Sequence, residues 1–126
     1  VHRPNETMFS KIAVCISTAS GSGMKSANKD MADSAFFWGC AKIYKLGIAV
    51  WETNWQRVSE TIKAKAEKKT SYLSNKIKRK HIKIKPTIKT KLFFYIMRMI
   101  QKKAINELDK KYWYEKGWLA KIRPWK

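Results

Sequence analysis

The sequence predicts an α/β fold in which a parallel sheet is covered by helices. Two short apolar runs, at 11–17 and 42–50, have the composition of strands that are buried on both faces. Each run is followed by a segment with the 3.6-residue periodicity of an amphipathic helix. Helical crossovers join neighbouring strands in parallel, so this alternation predicts a strand–helix–strand–helix order over the first 80 residues.

The first predicted helix begins near Met24 and ends before Gly39, which lies where a left-handed residue would close it. The second helix is predicted to open at a capping box formed by Thr53 and Gln56. The apolar stripe of the first helix repeats every three or four residues and consists of Met24, Ala27, Met31, Ala35 and Trp38.

The organisation changes past residue 80. An extended basic connector, stopped by Pro86, leads into a basic amphipathic helix at 88–103 and then into an aromatic tail. We therefore divide the chain into an α/β part, 1–80, and a basic, aromatic-rich helical extension, 81–126. We expect Trp113, Trp118 and Trp125 in the tail to cover apolar surface of this protein or of a dimer mate.

The net charge of +19 is unevenly distributed along the chain. Residues 1–60 carry seven Lys or Arg against five Asp or Glu, whereas residues 61–126 carry 21 against four. Three interpretations remain open for the basic half: a solvated surface that packs on its own protein, a nucleic-acid-binding surface, or a surface that lies on an anionic membrane. The alternative function is therefore a basic α/β module that binds nucleic acid or an anionic membrane surface. No signature of a nucleic-acid-binding module is present.

Several kinds of site are disfavoured by the residues. Two cysteines are too few for a disulfide framework and have no metal-ligand spacing, which indicates buried thiols and a cytoplasmic location. His2 and His81 have no nucleophile or carboxylate at a meaningful spacing, so neither is predicted to be a catalytic base. Asp30 and Asp33 lie three residues apart on the first predicted helix, and we expect them to face solvent and not to form an acid–base or metal-binding pair. No apolar run is long enough to span a bilayer.

The segment with the clearest functional pattern is 17–26, STASGSGMKS, between the first strand and the first helix. It lies where open α/β sheets bind their ligands, and glycine lets main-chain amides approach a flat ligand closely. It is not a dinucleotide fingerprint, because Ser26 replaces the third glycine, and it is not a P-loop, because Met24 separates Gly23 from Lys25. Spacing alone leaves a turn of small residues without a ligand equally open.

The run 16–50, together with IKTKLFFYIMRMIQKK and the closing KGWLAKIRPWK, resembles the flavodoxin-like NAD(P)H-dependent oxidoreductases, the NADPH-dependent FMN reductase group. The resemblance extends from about Arg3 to Lys126. It implies the carboxyl-terminal half of a flavodoxin-like sheet of order 2-1-3-4-5, with strands four and five lying in 1–80. The strand at 11–17 would then have lost its inner neighbour, so we expect its edge to be exposed or paired with another chain.

The resemblance also implies a function. The family binds FMN, takes electrons from NAD(P)H, and often forms homodimers. Its loop after strand four borders the isoalloxazine ring, and by position this loop corresponds to Thr18, Ala19, Ser20, Gly21, Ser22 and Gly23. The loops after strands one and three, which hold the FMN phosphate and the other side of the ring, have no counterpart in these 126 residues. We therefore expect this chain alone to be inactive, and nucleic acid is the alternative partner.

Overall fold

A computed structural model of the chain describes residues 3–80, 84–103 and 105–125. It contains a mixed α/β arrangement with a parallel pair of strands and four α-helices. A 3₁₀ turn at Glu6–Ser10 precedes strand β1, Ile12–Ala19, and another at Trp55–Arg57 follows strand β2, Lys42–Ala49. The helices are α1, Met24–Phe37; α2, Glu60–Lys78; α3, Ile88–Lys102; and α4, Glu107–Glu115.

The strands β1 and β2 form a parallel ladder with α1 as the crossover. The register pairs Ile12 with Lys42 and continues without a bulge to Ala19 with Ala49. The predicted strands and their parallel pairing are therefore confirmed, although β1 runs two residues beyond the predicted end. The predicted end of α1 is also confirmed, because Gly39 has a φ of 95°.

The two helices of the α/β part lie on opposite faces of this sheet. A Cβ atom on Gly47 would lie 2.9 Å from Cβ of Met24, so Gly47 faces α1. Side chains alternate along a strand, so Tyr44 and Leu46 face the other way. There Lys76 of α2 lies 5.5 Å from the centre of the Tyr44 ring. Both faces of β2 are therefore covered.

Strand β1 is covered less completely. Cys15 is buried, but Val14 and Ile16, which point to the α2 side, are exposed. Within the described residues β2 is the only strand paired with β1. Parallel strands are normally covered on both faces, so β1 has the character of an inner strand with one edge and one face left open.

A second core joins the beginning of the chain to its end. Phe9, Phe94, Trp113 and Trp118 are buried together, and Met97, Tyr112, Leu119 and Trp125 pack around them. The tail tryptophans thus cover apolar surface of this protein, as expected. Because the phenol of Tyr112 donates a hydrogen bond to the carbonyl of Pro4 at 2.8 Å, residues from both proposed segments meet here. The boundary at residue 80 stays a prediction.

The end of α4 places two of these rings. Gly117 has a φ of 66°. With this angle the Trp118 amide donates to the Trp113 carbonyl, and the Gly117 amide donates to the Tyr114 carbonyl. This pattern is a Schellman motif, and its usual apolar contact is made by the two tryptophans, whose ring centres lie 5.3 Å apart.

Two details of the helices differ from the prediction. The prediction that a capping box of Thr53 and Gln56 opens α2 is wrong. The helix begins at Glu60, and its cap is Ser59, whose hydroxyl accepts a hydrogen bond from the Ile62 amide. Asn54 instead caps the short 3₁₀ turn by accepting from the Gln56 amide. Ala27, Met31 and Trp38, placed on the apolar stripe of α1, are exposed, and the buried residues of that helix are Asn28 and Ala35.

Candidate functional site

The segment Thr18–Gly23 lies at the carboxyl edge of the sheet, between β1 and α1. Thr18 and Ala19 are the last residues of β1, so the loop itself is Ser20–Gly23 and is shorter than the sequence suggested. The Ser17 hydroxyl donates to the Met24 carbonyl at 3.3 Å, which ties the end of the strand to the first turn of the helix. The six predicted residues therefore form one continuous segment at the predicted edge.

Gly23 is the amino-terminal cap of α1 and has a φ of 94°. No side chain caps the helix there, so the amides of its first turn receive no side-chain hydrogen bond at this cap. A Cβ atom at Gly23 would meet nothing within 4 Å. Its backbone angle, and not crowding, is what requires glycine.

Gly21 is constrained by its surroundings and not by its backbone angle. Its φ lies outside the left-handed region, so no unusual backbone angle calls for glycine at this position. The constraint is the indole of Trp51, because a Cβ atom on Gly21 would lie 3.0 Å from its Cζ3 atom. Gly21 is therefore a position of close approach between a loop backbone and an aromatic ring.

Trp51 is a candidate site residue that the sequence did not single out. It lies two residues past the end of β2, is 67% exposed, and has a φ of 58°, the one positive φ of a non-glycine residue among those described. Trp55 is exposed nearby in sequence, with the Lys63 ammonium 5.9 Å from the centre of its ring. The sequence could have indicated both residues, because the segment VWETNW places two tryptophans just after the second predicted strand.

The segment has no groups for acid–base chemistry. None of the six residues from Thr18 to Gly23 is titratable. Asp33 on α1 is exposed and paired with Lys29 at 2.9 Å, and this hydrogen bond lowers the pKa of the carboxyl. The interpretation of Asp33 as part of a solvated helix face is thereby supported. The site offers backbone contacts and an aromatic ring, so any redox chemistry there would belong to a bound cofactor.

The remaining reactive residues lie elsewhere. Cys15 and Cys40 are free and buried, as expected, and burial raises the pKa of the Cys40 thiol. His2 and His81 fall outside the described residues. Within residues 3–80, 84–103 and 105–125, no group of three His, Cys, Asp or Glu side chains could hold a metal ion. A cavity of about 250 Å³ lies near the amino end of β2, lined in part by Asp33, Lys45, Lys89 and Thr90.

No helix in the described part of the chain is long and apolar enough to cross a membrane. No protein-family model, curated protein or solved structure matches this chain.

Proposed function

We propose that this chain is the carboxyl-terminal part of a flavodoxin-like, FMN-dependent NAD(P)H oxidoreductase. The observation that carries the proposal is the position of the Ser20–Gly23 loop at the carboxyl end of β1, a parallel strand with an open edge. In open α/β sheets that edge is where ligands bind. The resemblance in 16–50 assigns the same loop to the border of the isoalloxazine ring.

The arrangement of α1 and α2 supports the same proposal. They follow consecutive parallel strands and lie on opposite faces, as the helices after strands four and five do in a flavodoxin-like sheet. The edge of β1 that no other described strand pairs with is where the family's strand three would lie. Cytoplasmic location and a homodimer remain predictions of the same proposal.

In this proposal the protein positions the flavin and FMN itself transfers the hydride from NAD(P)H. The amides near Gly21 and Gly23 would border the ring, and no side chain of the loop would need to act as an acid or base. These residues contain no counterpart of the loops that hold the FMN phosphate, so the charge-assisted contacts that anchor the cofactor would come from sequence outside them.

A flavin titration tests this proposal. Residues 1–126 are titrated with FMN and followed by flavin fluorescence, and we expect binding weaker than about 1 μM, because phosphate contacts supply much of the affinity. The genomic sequence upstream of Val1 is then read for a strand, a Ser/Thr/Asn-rich turn and a helix. Submicromolar FMN binding by residues 1–126 would show that the phosphate loop has been misjudged, and an upstream sequence of another kind would contradict the family assignment.

A further inference from the structure

The outward side of α3 is apolar along its whole length. Ile88, Leu92, Ile96, Met99 and Ile100, here called the α3 stripe, are between 41% and 85% exposed. Their spacings of three, four and eight residues place them on one side of a helix with 3.6 residues per turn. Five large exposed aliphatic residues in one line form a continuous surface, which is unlike the scattered apolar residues of an ordinary protein surface.

This stripe is the second apolar side of α3. The opposite side is already buried, since Phe94, Thr90 and Gln101 are inaccessible and Met97 packs against the aromatic core. A helix with one side in a core normally presents charged and polar residues on the other side. The outward residues of α3 are therefore not accounted for by packing among the described residues.

The charges on α3 are all positive. Ile88–Lys102 contains Lys89, Lys91, Arg98 and Lys102, is followed by Lys103, and has no Asp or Glu. Arg98 donates to the carbonyl oxygens of Leu119 and Ala120, which fixes the helix against the turn after α4. Lys102 and Lys103 are exposed at the carboxyl end of α3.

We infer that the α3 stripe docks on an anionic lipid surface, with the helix lying in the plane of the interface. Aliphatic side chains at the centre of such a helix enter the acyl boundary, while flanking lysines extend to anionic headgroups. Charge complementarity selects this occupant over a second copy. Each copy has a net charge of +19, and its residues 61–126 carry 21 Lys or Arg against four Asp or Glu. Two such surfaces repel each other and attract a negative bilayer.

The test measures sedimentation of the full chain with vesicles. One set is phosphatidylcholine alone, and in the other about a third of the lipid is phosphatidylserine. We expect binding to the anionic vesicles to be tighter by about tenfold or more, and to weaken as salt is raised. Equal binding to the two sets, or no binding to the anionic set, overturns the inference.

Paired variants locate the surface. Leu92→Gln with Met99→Gln should weaken binding to anionic vesicles by about tenfold, because both lost side chains enter the acyl boundary. The matched control is Leu108→Gln, since Leu108 is an exposed leucine on α4. It should change binding by less than about twofold. All three side chains are exposed, so the variants should keep the helical content and thermal midpoint of the unaltered protein.

Charge reversal gives a second test that does not depend on the apolar residues. Lys102→Glu with Lys103→Glu should weaken vesicle binding more than Lys65→Glu with Lys68→Glu, which changes the net charge equally on exposed positions of α2. Equal losses would mean that the attraction is spread over the surface, and the docking site would be rejected. A wild-type dimer in light scattering that Leu92→Gln with Met99→Gln converts to a monomer would assign the stripe to a second copy and overturn the lipid inference.

Discussion

The indole ring of Trp51 lies against the backbone of Gly21, so close that a Cβ atom at position 21 would lie 3.0 Å from Cζ3. The two residues follow different strands, β1 and β2, whose parallel register brings their carboxyl ends to one edge. Trp51 holds a left-handed backbone angle there, which is unfavourable for a large side chain. The loop and the ring therefore form one unit.

From this contact we expect Gly21→Val and Gly23→Val to weaken FMN binding in the complete protein while leaving the fold largely intact. At position 21 the new side chain would displace Trp51, and at position 23 it would be strained at a φ of 94°. The measurement is the FMN dissociation constant beside the thermal midpoint of each variant. Unchanged flavin affinity in both variants would remove this loop from the cofactor site.

A double-mutant cycle tests whether Trp51 is what constrains position 21. Gly21→Ala should shift the fluorescence of the wild-type chain, because the ring of Trp51 has to move by a few tenths of an ångström. In a Trp51→Ala background the same change should be close to neutral for stability, within about 0.5 kcal/mol. An equal cost in both backgrounds would show that Gly21 is constrained by something other than Trp51.

Replacing a buried ring of the second core should be costly. Trp113→Ala removes a fully buried side chain that packs on Phe94 and Trp118, and should lower the free energy of unfolding by about 3–5 kcal/mol. The matched control is Trp38→Ala, whose ring is exposed on α1 and whose loss should cost less than about 1 kcal/mol. Urea denaturation of both variants measures the difference, and similar losses would contradict the placement of this core.

The ion pair between Arg3 and Asp109 should contribute more to stability than the surface pair between Lys116 and Glu6. The carboxylate of Asp109 is almost fully buried and accepts from Nε of Arg3. Arg3→Met leaves that charge without its donor, and should cost about 1–3 kcal/mol. Asp109→Asn keeps an acceptor oxygen and should cost less than Arg3→Met.

Lys116→Met is the control for this comparison, because the Glu6 carboxylate, 3.2 Å from Lys116, is half-exposed whereas that of Asp109 is buried. Its expected cost is below about 1 kcal/mol. Chemical denaturation at neutral pH gives all three values. A smaller loss for Arg3→Met than for Lys116→Met would show that the Asp109 carboxylate does not depend on Arg3.

Stability should also depend on the repulsion between Lys42 and Lys80. The contact with Lys42 lowers the pKa of Lys80 below its usual value. The unfolded chain therefore binds the proton more readily, and the stability cost is fully present at neutral pH and is lost as pH rises through the ordinary lysine range. Lys42→Met should raise the thermal midpoint at pH 7, and the gain should shrink toward about pH 11.

Lys65→Met, at an exposed position of α2, is the matched control for this pH series. It removes the same charge without removing the contact with Lys80. Thermal melts of the three proteins from neutral to alkaline pH provide the measurement. A gain for Lys42→Met that is independent of pH would assign the effect to packing and not to charge.

The sequence predicted the β1–α1–β2 unit well because its signals are local. Apolar runs, helical spacing and the glycine at position 39 act over a few residues. The structure confirms the strands, the helix α1 and its end, but not which residues of α1 are buried. The predicted start of α2 was wrong, and the reason is also local. Asn54 and Ser59 both supply capping oxygens, so a separate 3₁₀ turn forms where the capping box was expected.

The pairing of Trp51 with Gly21 could not be predicted in the same way, because it depends on which loops the parallel register brings together. For α3 the periodicity indicated an amphipathic helix, but it did not reveal that a second apolar side faces outward. Which side faces outward is decided by the burial of Phe94 and its neighbours in the core. Contacts between distant segments decide such features, and a single sequence specifies them weakly.

The position of Phe9 affects the order in which the chain can fold. Phe9 precedes the first strand, yet its ring packs edge-on against Phe94 and Trp118 near the other end of the sequence. During synthesis the β1–α1–β2 unit can pair its strands early and place Phe9 against Gly39. The side of Phe9 that packs on Phe94 and Trp118 stays uncovered until the residues around Trp118 have left the ribosome. A long wait of this kind leaves apolar surface open to wrong partners, so nascent chains are expected to depend on a chaperone until the aromatic turn after α4 closes over Phe9.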